Sequence, residues 1–170
     1  MAASGSTYPT GRISTEKALQ KLKHYCGYQE RSHAEVKQKL YSLGLFKKDV
    51  EELISRLIEE KYLNEERFAI QFVSGKSRLK GWGKQKIRHE LRLKGVSSFC
   101  INKALNTLDD ADYQKSFDRQ AGKKWKALRS EKNIFVKKHK WQQWLLQKGF
   151  EPALIQNWSV DDNETGLSEE

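Results

Sequence analysis

The stretch Ile87-Arg88-His89-Glu90-Leu91-Arg92-Leu93-Lys94-Gly95-Val96 decides the fold. Ile87 and Leu91 stand four residues apart, on one stripe of a helix. Gly95, four residues further on, supplies the left-handed position that ends a helix, and Val96 can fold back on the last turn. The same pattern occurs as Val36-x-x-x-Leu40-x-x-x-Gly44-Leu45 and as Trp141-x-x-x-Leu145-x-x-x-Gly149-Phe150. Six residues past each glycine, Val50, Ile101 or Ile155 opens the next helix. Gly44 and Gly95 lie 51 residues apart, Gly95 and Gly149 54. A period near 50 built of short helices marks an array in which no unit buries its apolar face alone.

Outward from these motifs the chain stays helical. Its two prolines, Pro9 and Pro152, bracket the periodic region, so the residue that most reliably breaks helices is missing between them. The spacing predicts an all-α fold of tandem three-helix repeats in an elongated, curved array. A leading helix is expected within 12–30, with Ser14 as N-cap and a stripe of Ala18, Leu19, Leu22 and Tyr25. Repeats are expected over 31–80, 81–130 and, in part, 131–160. Ser32 with Glu35 forms a capping box, and Asn64 caps a helix carrying Phe68, Ala69, Phe72 and Val73. Residues 1–11 read as a disordered leader with no apolar run, hence not a secretory signal. Residues 161–170 carry Asp161, Asp162, Glu164, Glu169 and Glu170 without a basic residue, and read as an acidic disordered tail.

Charge points to the partner class. Thirty-two lysines and arginines against 22 acidic residues leave a formal charge of +10. That excess favours nucleic acid, an anionic membrane or an acidic protein groove. No stretch approaches the ~18 apolar residues of a membrane span. Cys26 and Cys100, far apart in sequence, suit free thiols in a reducing cytosol, so a cytoplasmic location is expected.

Two runs concentrate the positive charge. Lys76, Arg78, Lys80, Lys84, Lys86, Arg88, Arg92 and Lys94 face only Glu90. Arg119, Lys123, Lys124, Lys126, Arg129, Lys132, Lys137, Lys138 and Lys140 face only Glu131. Stacked repeats would line these residues into one basic strip, whose many weak contacts suit phosphates or acidic side chains. The plainer alternative is that lysines merely solvate helix faces. Gly81-Trp82-Gly83 is the most pointed segment, because two glycines permit close approach of another backbone. Trp82 can stack on a base or fill a partner's pocket, or it can anchor adjacent repeats. Trp141 and Trp144 are expected in the core.

At this point the chain resembles a family. Glu30-Arg31-Ser32 leading into Glu35-Val36-x-x-x-Leu40, then Ile58-x-x-x-Tyr62-Leu63-Asn64-Glu65-x-Arg67-Phe68-Ala69, then Lys80-Gly81-Trp82-Gly83-Lys84-x-Lys86-Ile87-x-x-Glu90-Leu91-x-x-Lys94-Gly95-Val96 are similar to the RecX family, bacterial regulators of the RecA recombinase. The resemblance covers about Thr15 to Leu108, and more loosely continues to Trp158. It implies three tandem three-helix repeats, no enzymatic activity, and binding along the groove of the RecA–DNA filament. It also implies modulation, mostly inhibition, of RecA's ATP hydrolysis, strand exchange and coprotease activity, hence a place in recombination, DNA repair and the SOS response. Lys84 stands where a proline is common in the family, and the third copy is rich in tryptophan (Trp125, Trp141, Trp144, Trp158).

No catalytic constellation emerges. His24, His33, His89 and His139 have no carboxylate or thiol at a telling spacing, and neither a zinc pattern nor a phosphate-cradling glycine loop is present. Asp109-Asp110-x-Asp112 starts a helix, where negative charge favours the dipole. No metal or other cofactor is expected. The expected partners are the RecA filament and, weakly and with salt sensitivity, DNA; the chain is expected to be a monomer. The competing expectation is a stand-alone DNA-binding module of helix-turn-helix-like units.

Overall fold

The computed structural model describes residues 13–159, all helix and connecting turns with no strand among them. The expected leader at 1–11 and acidic tail at 161–170 lie outside the described residues. The helices are α1 (Thr15–Tyr28), α2 (His33–Ser42), α3 (Lys47–Glu59), α4 (Glu65–Lys80), α5 (Lys84–Leu93), α6 (Ser98–Leu105), α7 (Asp110–Ala127), α8 (Ile134–Lys148) and α9 (Pro152–Asn157). The all-α reading of the repeated pattern holds.

The caps fall where the side chains demand them. Ser14 accepts from the Lys17 N–H, and Ser32 and Glu35 close a reciprocal capping box at 3.2 and 2.9 Å. Asn64 accepts from the Arg67 N–H at 2.8 Å. Each pairing satisfies an amide that the first helical turn leaves without a partner. Gly44, Gly95 and Gly149 take φ of +81°, +73° and +86°. At the first and last, the next amide folds back: Leu45 donates to Leu40 O at 3.4 Å and Phe150 to Leu145 O at 3.2 Å. Leu45 and Phe150 are thereby buried, as the apolar residue after each glycine requires. Helix α6 is shorter than its apolar stripe suggests. The Thr107 hydroxyl and amide both bond the Ala104 carbonyl, at 2.7 and 3.1 Å, and close a tight turn before Leu108.

The chain divides into two compact units. One comprises residues 13–68 with Lys94–Val96, the other Ala69–Leu93 with residues 97–159. In the first, Ala18, Leu19, Leu22 and Cys26 of α1 interlock with Val36 and Leu40 of α2 and Val50, Leu53 and Leu57 of α3. Helix α1 therefore shares a core with α2 and α3 and is no mere prelude to a unit starting at 31. Each fully buried leucine there contributes about 1.5–3 kcal/mol. In the second unit, Tyr113, Phe117 and Ala121 of α7 pack on Trp141 and Leu145 of α8, with Phe150 and Ile155. Phe117 meets Phe150 edge-on at 5.2 Å, and Trp141 lies 4.8 Å from Trp158 and 5.9 Å from Trp125. The buried indole of Trp141 donates to the Ala121 carbonyl at 2.9 Å, so the large side chain leaves no polar atom stranded.

Candidate functional site

The segment Gly81-Trp82-Gly83 ends one helix and docks on another. Gly81 has φ +59° and donates to Ser77 O, while Trp82 donates to Lys76 O, both at 3.1 Å. Gly83 then donates to Lys148 O at 2.8 Å, and Gln85 to Gly149 O at 3.0 Å. A Cβ on Gly83 would collide with the backbone of Gly149 and Phe150, and a Cβ on Gly149 with the backbone of Lys86. The glycines thus let two main chains run in direct contact. The end of α4, the start of α5 and the end of α8 converge there.

Convergence gathers positive charge. Lys148 Nζ donates to Lys80 O at 3.3 Å, and Lys86 Nζ to Gln147 O at 3.4 Å. These carbonyls end α4 and α8, where the helix dipole favours cations. Trp82 is half-buried, with Lys76 Nζ 5.0 Å and Lys86 Nζ 4.6 Å from its ring centre. Trp144 is half-buried too, with Lys148 Nζ at 5.1 Å and Lys124 Nζ at 5.4 Å. Burial, then the charges of Lys86, Lys123 and Lys80, hold the Lys148 ammonium below its ordinary pKa. None of Lys76, Lys80, Lys86, Lys123, Lys124 and Lys148 ion-pairs with a carboxylate among the described residues. Four of these cations lie over two indole rings, and Lys80 and Lys123 add their charge beside Lys148, so the group makes a ready anion-binding surface.

The remaining basic residues named from sequence do not join this surface. Lys84 ion-pairs with Asp110 at 3.2 Å and sits over the Tyr113 ring. Arg88 donates to Asn102 at 2.8 Å, Lys140 pairs with Glu131 at 2.7 Å, and Lys137 covers the Trp125 ring at 4.2 Å. Lys94 pairs with Glu35 at 2.7 Å within the first unit. Arg92, Lys126, Arg129 and Lys138 are exposed, and Arg78 lines a separate cleft. The expectation of one strip running through every basic residue from Lys76 to Lys94 is therefore corrected. Consecutive charges on a helix of 3.6 residues per turn face different sides, and several meet acids of their own chain. Trp144, expected in the core, is half-buried against it and also carries two lysines of this surface over its ring. Lys148 was missed because it lies outside both charge runs; its place beside a helix-ending glycine was the available signal.

Elsewhere the chemistry is quiet. Burial pushes the Cys26 thiol up to about 11, so it stays protonated at neutral pH. The Tyr113 hydroxyl accepts from the Lys84 N–H at 2.9 Å and donates to Glu151 at 2.7 Å; burial, then Glu151, raises its pKa. It is a structural clasp. Among the described residues no group of three His, Cys, Asp or Glu side chains is placed to hold a metal, and no helix is long and apolar enough to cross a membrane.

Two family models match. One, described as RecX, second three-helix domain, covers residues 64–105, and the other, RecX, third three-helix domain, covers 111–158. The chain belongs to the RecX family. Its relatives named regulatory protein RecX include that of Bacillus licheniformis, 31% identical over 137 residues, spanning 79% of this chain and 51% of the relative. That of Prosthecochloris aestuarii is 35% identical over 97 residues, spanning 57% of this chain and 64% of the relative. The chain thus spans about half to two thirds of the length of the curated RecX proteins it matches. The crystal structure of RecX from Lactobacillus salivarius superposes with a TM-score of 0.75 at 25% identity, covering 89% of this chain and 97% of that one. A second, a crystal structure of regulatory protein RecX, gives 0.78 at 23% identity, over 87% of this chain and 71% of that one, and supports the fold alone. The two matched RecX domains are α4–α6 and α7–α9. Each begins one helix ahead of the repeats expected at 81–130 and 131–160, because the glycine motif marks the second helix of a triplet.

Proposed function

We propose that this chain binds the RecA–DNA filament and restrains its ATP-driven cycle, acting by contact and without catalysis. Membership of a regulatory family supports the partner class. The observation that carries the reading is the lysine surface around Lys148, whose positive charge meets no neutralising acid among the described residues. Such a surface fits the phosphates of filament DNA or acidic side chains lining the groove. A body bound across adjacent protomers couples their conformations and opposes the rearrangement that follows ATP hydrolysis. A monomeric cytoplasmic protein with a part in recombination, DNA repair and the SOS response fits this mode of action.

DNA-dependent ATP hydrolysis by RecA tests it. Replacing Lys76, Lys80, Lys86 and Lys148 together with glutamine should raise the concentration needed for inhibition at least about tenfold at moderate salt. Replacing Lys126, Arg129 and Lys138 should have a much smaller effect. A folded quadruple variant that inhibits like the parent sinks the role of this surface. Titration with duplex DNA alone separates the alternative, since tight, sequence-selective binding that survives moderate salt would mark a stand-alone DNA-binding module.

A further inference from the structure

A second site lies on a different face of α4 from the lysine surface. A cleft of about 670 Å³ opens in the second unit between α4, the turn before α7, and the first half of α7. Its volume is that of a small-molecule site. Helix α4 contributes Ser74, Ser77 and Arg78, and α7 contributes Ser116 and Arg119. Spacings of three and four residues bring these groups onto one stripe of each helix.

Two observations point to a ligand. Arg78 and Arg119 are exposed, and neither forms an ion pair among the described residues, although Asp109 and Asp112 line the same cleft. Ser77 is largely buried and lines the cleft. One wall is apolar, formed by Ile70, Leu108 and the Tyr113 ring.

We propose that this cleft binds a nucleoside monophosphate unit, either a free nucleotide or the 5′-phosphorylated end of a strand. Arg78 and Arg119 fork onto the phosphate, where paired guanidinium donors suit an oxyanion. Ser77 donates to a phosphate oxygen. Asp109 and Asp112 accept from sugar hydroxyls, and the base lies against Ile70, Leu108 and Tyr113. The Asp109 carboxylate already accepts the Asp112 N–H through one oxygen at 2.9 Å, which fixes its orientation. An acidic peptide fits less well, because it brings neither a sugar's hydroxyl pair for the aspartates nor a flat base for the apolar wall.

Calorimetric titration of the full chain with AMP, adenosine, inorganic phosphate and short oligonucleotides bearing a 5′-phosphate or a 5′-hydroxyl tests the site. AMP or the phosphorylated oligonucleotide should bind with Kd below about 1 mM, and at least about tenfold tighter than adenosine or phosphate alone. Equal binding of both forms identifies a free nucleotide as sufficient; preference for the oligonucleotide identifies a strand end. Either result supports the site. The Arg78→Gln/Arg119→Gln variant should abolish the advantage of a 5′-phosphate over a 5′-hydroxyl, whereas Lys126→Gln/Lys138→Gln should leave that difference in place. No binding at about 5 mM overturns the proposal. So does binding indifferent to the arginine pair, or phosphate binding as tightly as AMP.

Discussion

Gly83 and Gly149 press their backbones together so closely that neither position has room for a methyl group. The hydrogen bonds on either side, Gly83 to Lys148 O at 2.8 Å and Gln85 to Gly149 O at 3.0 Å, hold the contact in register. This single approach explains why Lys86, at the start of α5, and Lys148, at the end of α8, share one surface. Charge that sequence order keeps apart is brought together by two residues without side chains.

Gly83→Ala should therefore destabilise the protein by about 2–4 kcal/mol, since its Cβ meets backbone rather than a movable side chain. Urea unfolding followed by tryptophan fluorescence reads the loss directly. Gly122→Ala is the contrast: Gly122 lies inside α7 with nothing within 4 Å of the added carbon. It should stabilise by about 0.5–1 kcal/mol. Similar effects from the two would dissolve the argument for a backbone contact.

Much of this architecture was legible because local rules and packing agree. The Val36–Leu40–Gly44, Ile87–Leu91–Gly95 and Trp141–Leu145–Gly149 patterns fix stripe and stop together, and all six apolar members are buried. Caps at Ser14, Ser32 and Asn64 could be read from side-chain chemistry alone. The lysine surface was only partly legible. Lys76, Lys80, Lys86, Lys123 and Lys124 were named, but so were Lys84, Arg88, Lys94 and Lys140, whose partners come from residues 9–59 positions away in sequence. A charge run states how much charge a segment carries and not which acids its neighbours bring. The cleft around Ser77 had no sequence signal, because hydroxyls and arginines from separate helices acquire meaning only once apposed.

The end of α3 offers a simpler test. Lys61 has φ +62°, in the left-handed region where glycine stops the comparable helices, and the amide of Tyr62 bonds Leu57 O at 2.9 Å. A side chain in that conformation carries about 1 kcal/mol of strain. Lys61→Gly should keep the turn, since the Arg67 guanidinium bonds the Lys61 carbonyl and not its ammonium. We expect a gain of about 0.5–1 kcal/mol in urea unfolding, less the added freedom of the unfolded chain. A loss exceeding about 1 kcal/mol would mean that the lysine side chain itself holds the turn.

Acid should reach Glu35 late. Burial works to raise its pKa, but the Lys94 ammonium and the Ser32 amide and hydroxyl outweigh it and hold the carboxyl below its ordinary value. A depressed folded pKa gives stability that is present above the unfolded carboxylate pKa, about 4.3, and fades as pH falls through the lower folded value. Glu35→Gln should cost about 1 kcal/mol at neutral pH and flatten the acid limb of stability. Urea midpoints from pH 7 down to about pH 3 provide the comparison. Parallel curves for parent and variant would remove Glu35 from the acid response.

Lys148 should behave in the opposite sense. Its folded pKa lies below the ordinary lysine value of 10.5, because burial and then Lys86, Lys123 and Lys80 disfavour its charge. At neutral pH the ammonium is charged in both states, so the surface carries a repulsion that folding must overcome. That penalty is lifted as pH rises through the folded pKa toward the unfolded one. Lys148→Gln should therefore raise stability by roughly 0.5 kcal/mol at low ionic strength, although it loses the bond to Lys80 O. Added salt screens the same repulsion, so it should stabilise the parent more than the variant, and the two should converge near 0.5 M salt, where the screening length is only a few ångströms. Phosphate should raise the parent's melting temperature beyond what chloride achieves at equal ionic strength, because an anion bound at the surface favours the folded state. A variant less stable than the parent at low salt would mean that the Lys80 carbonyl bond outweighs the repulsion, and the surface would then be a settled piece of structure rather than a site waiting for an anion.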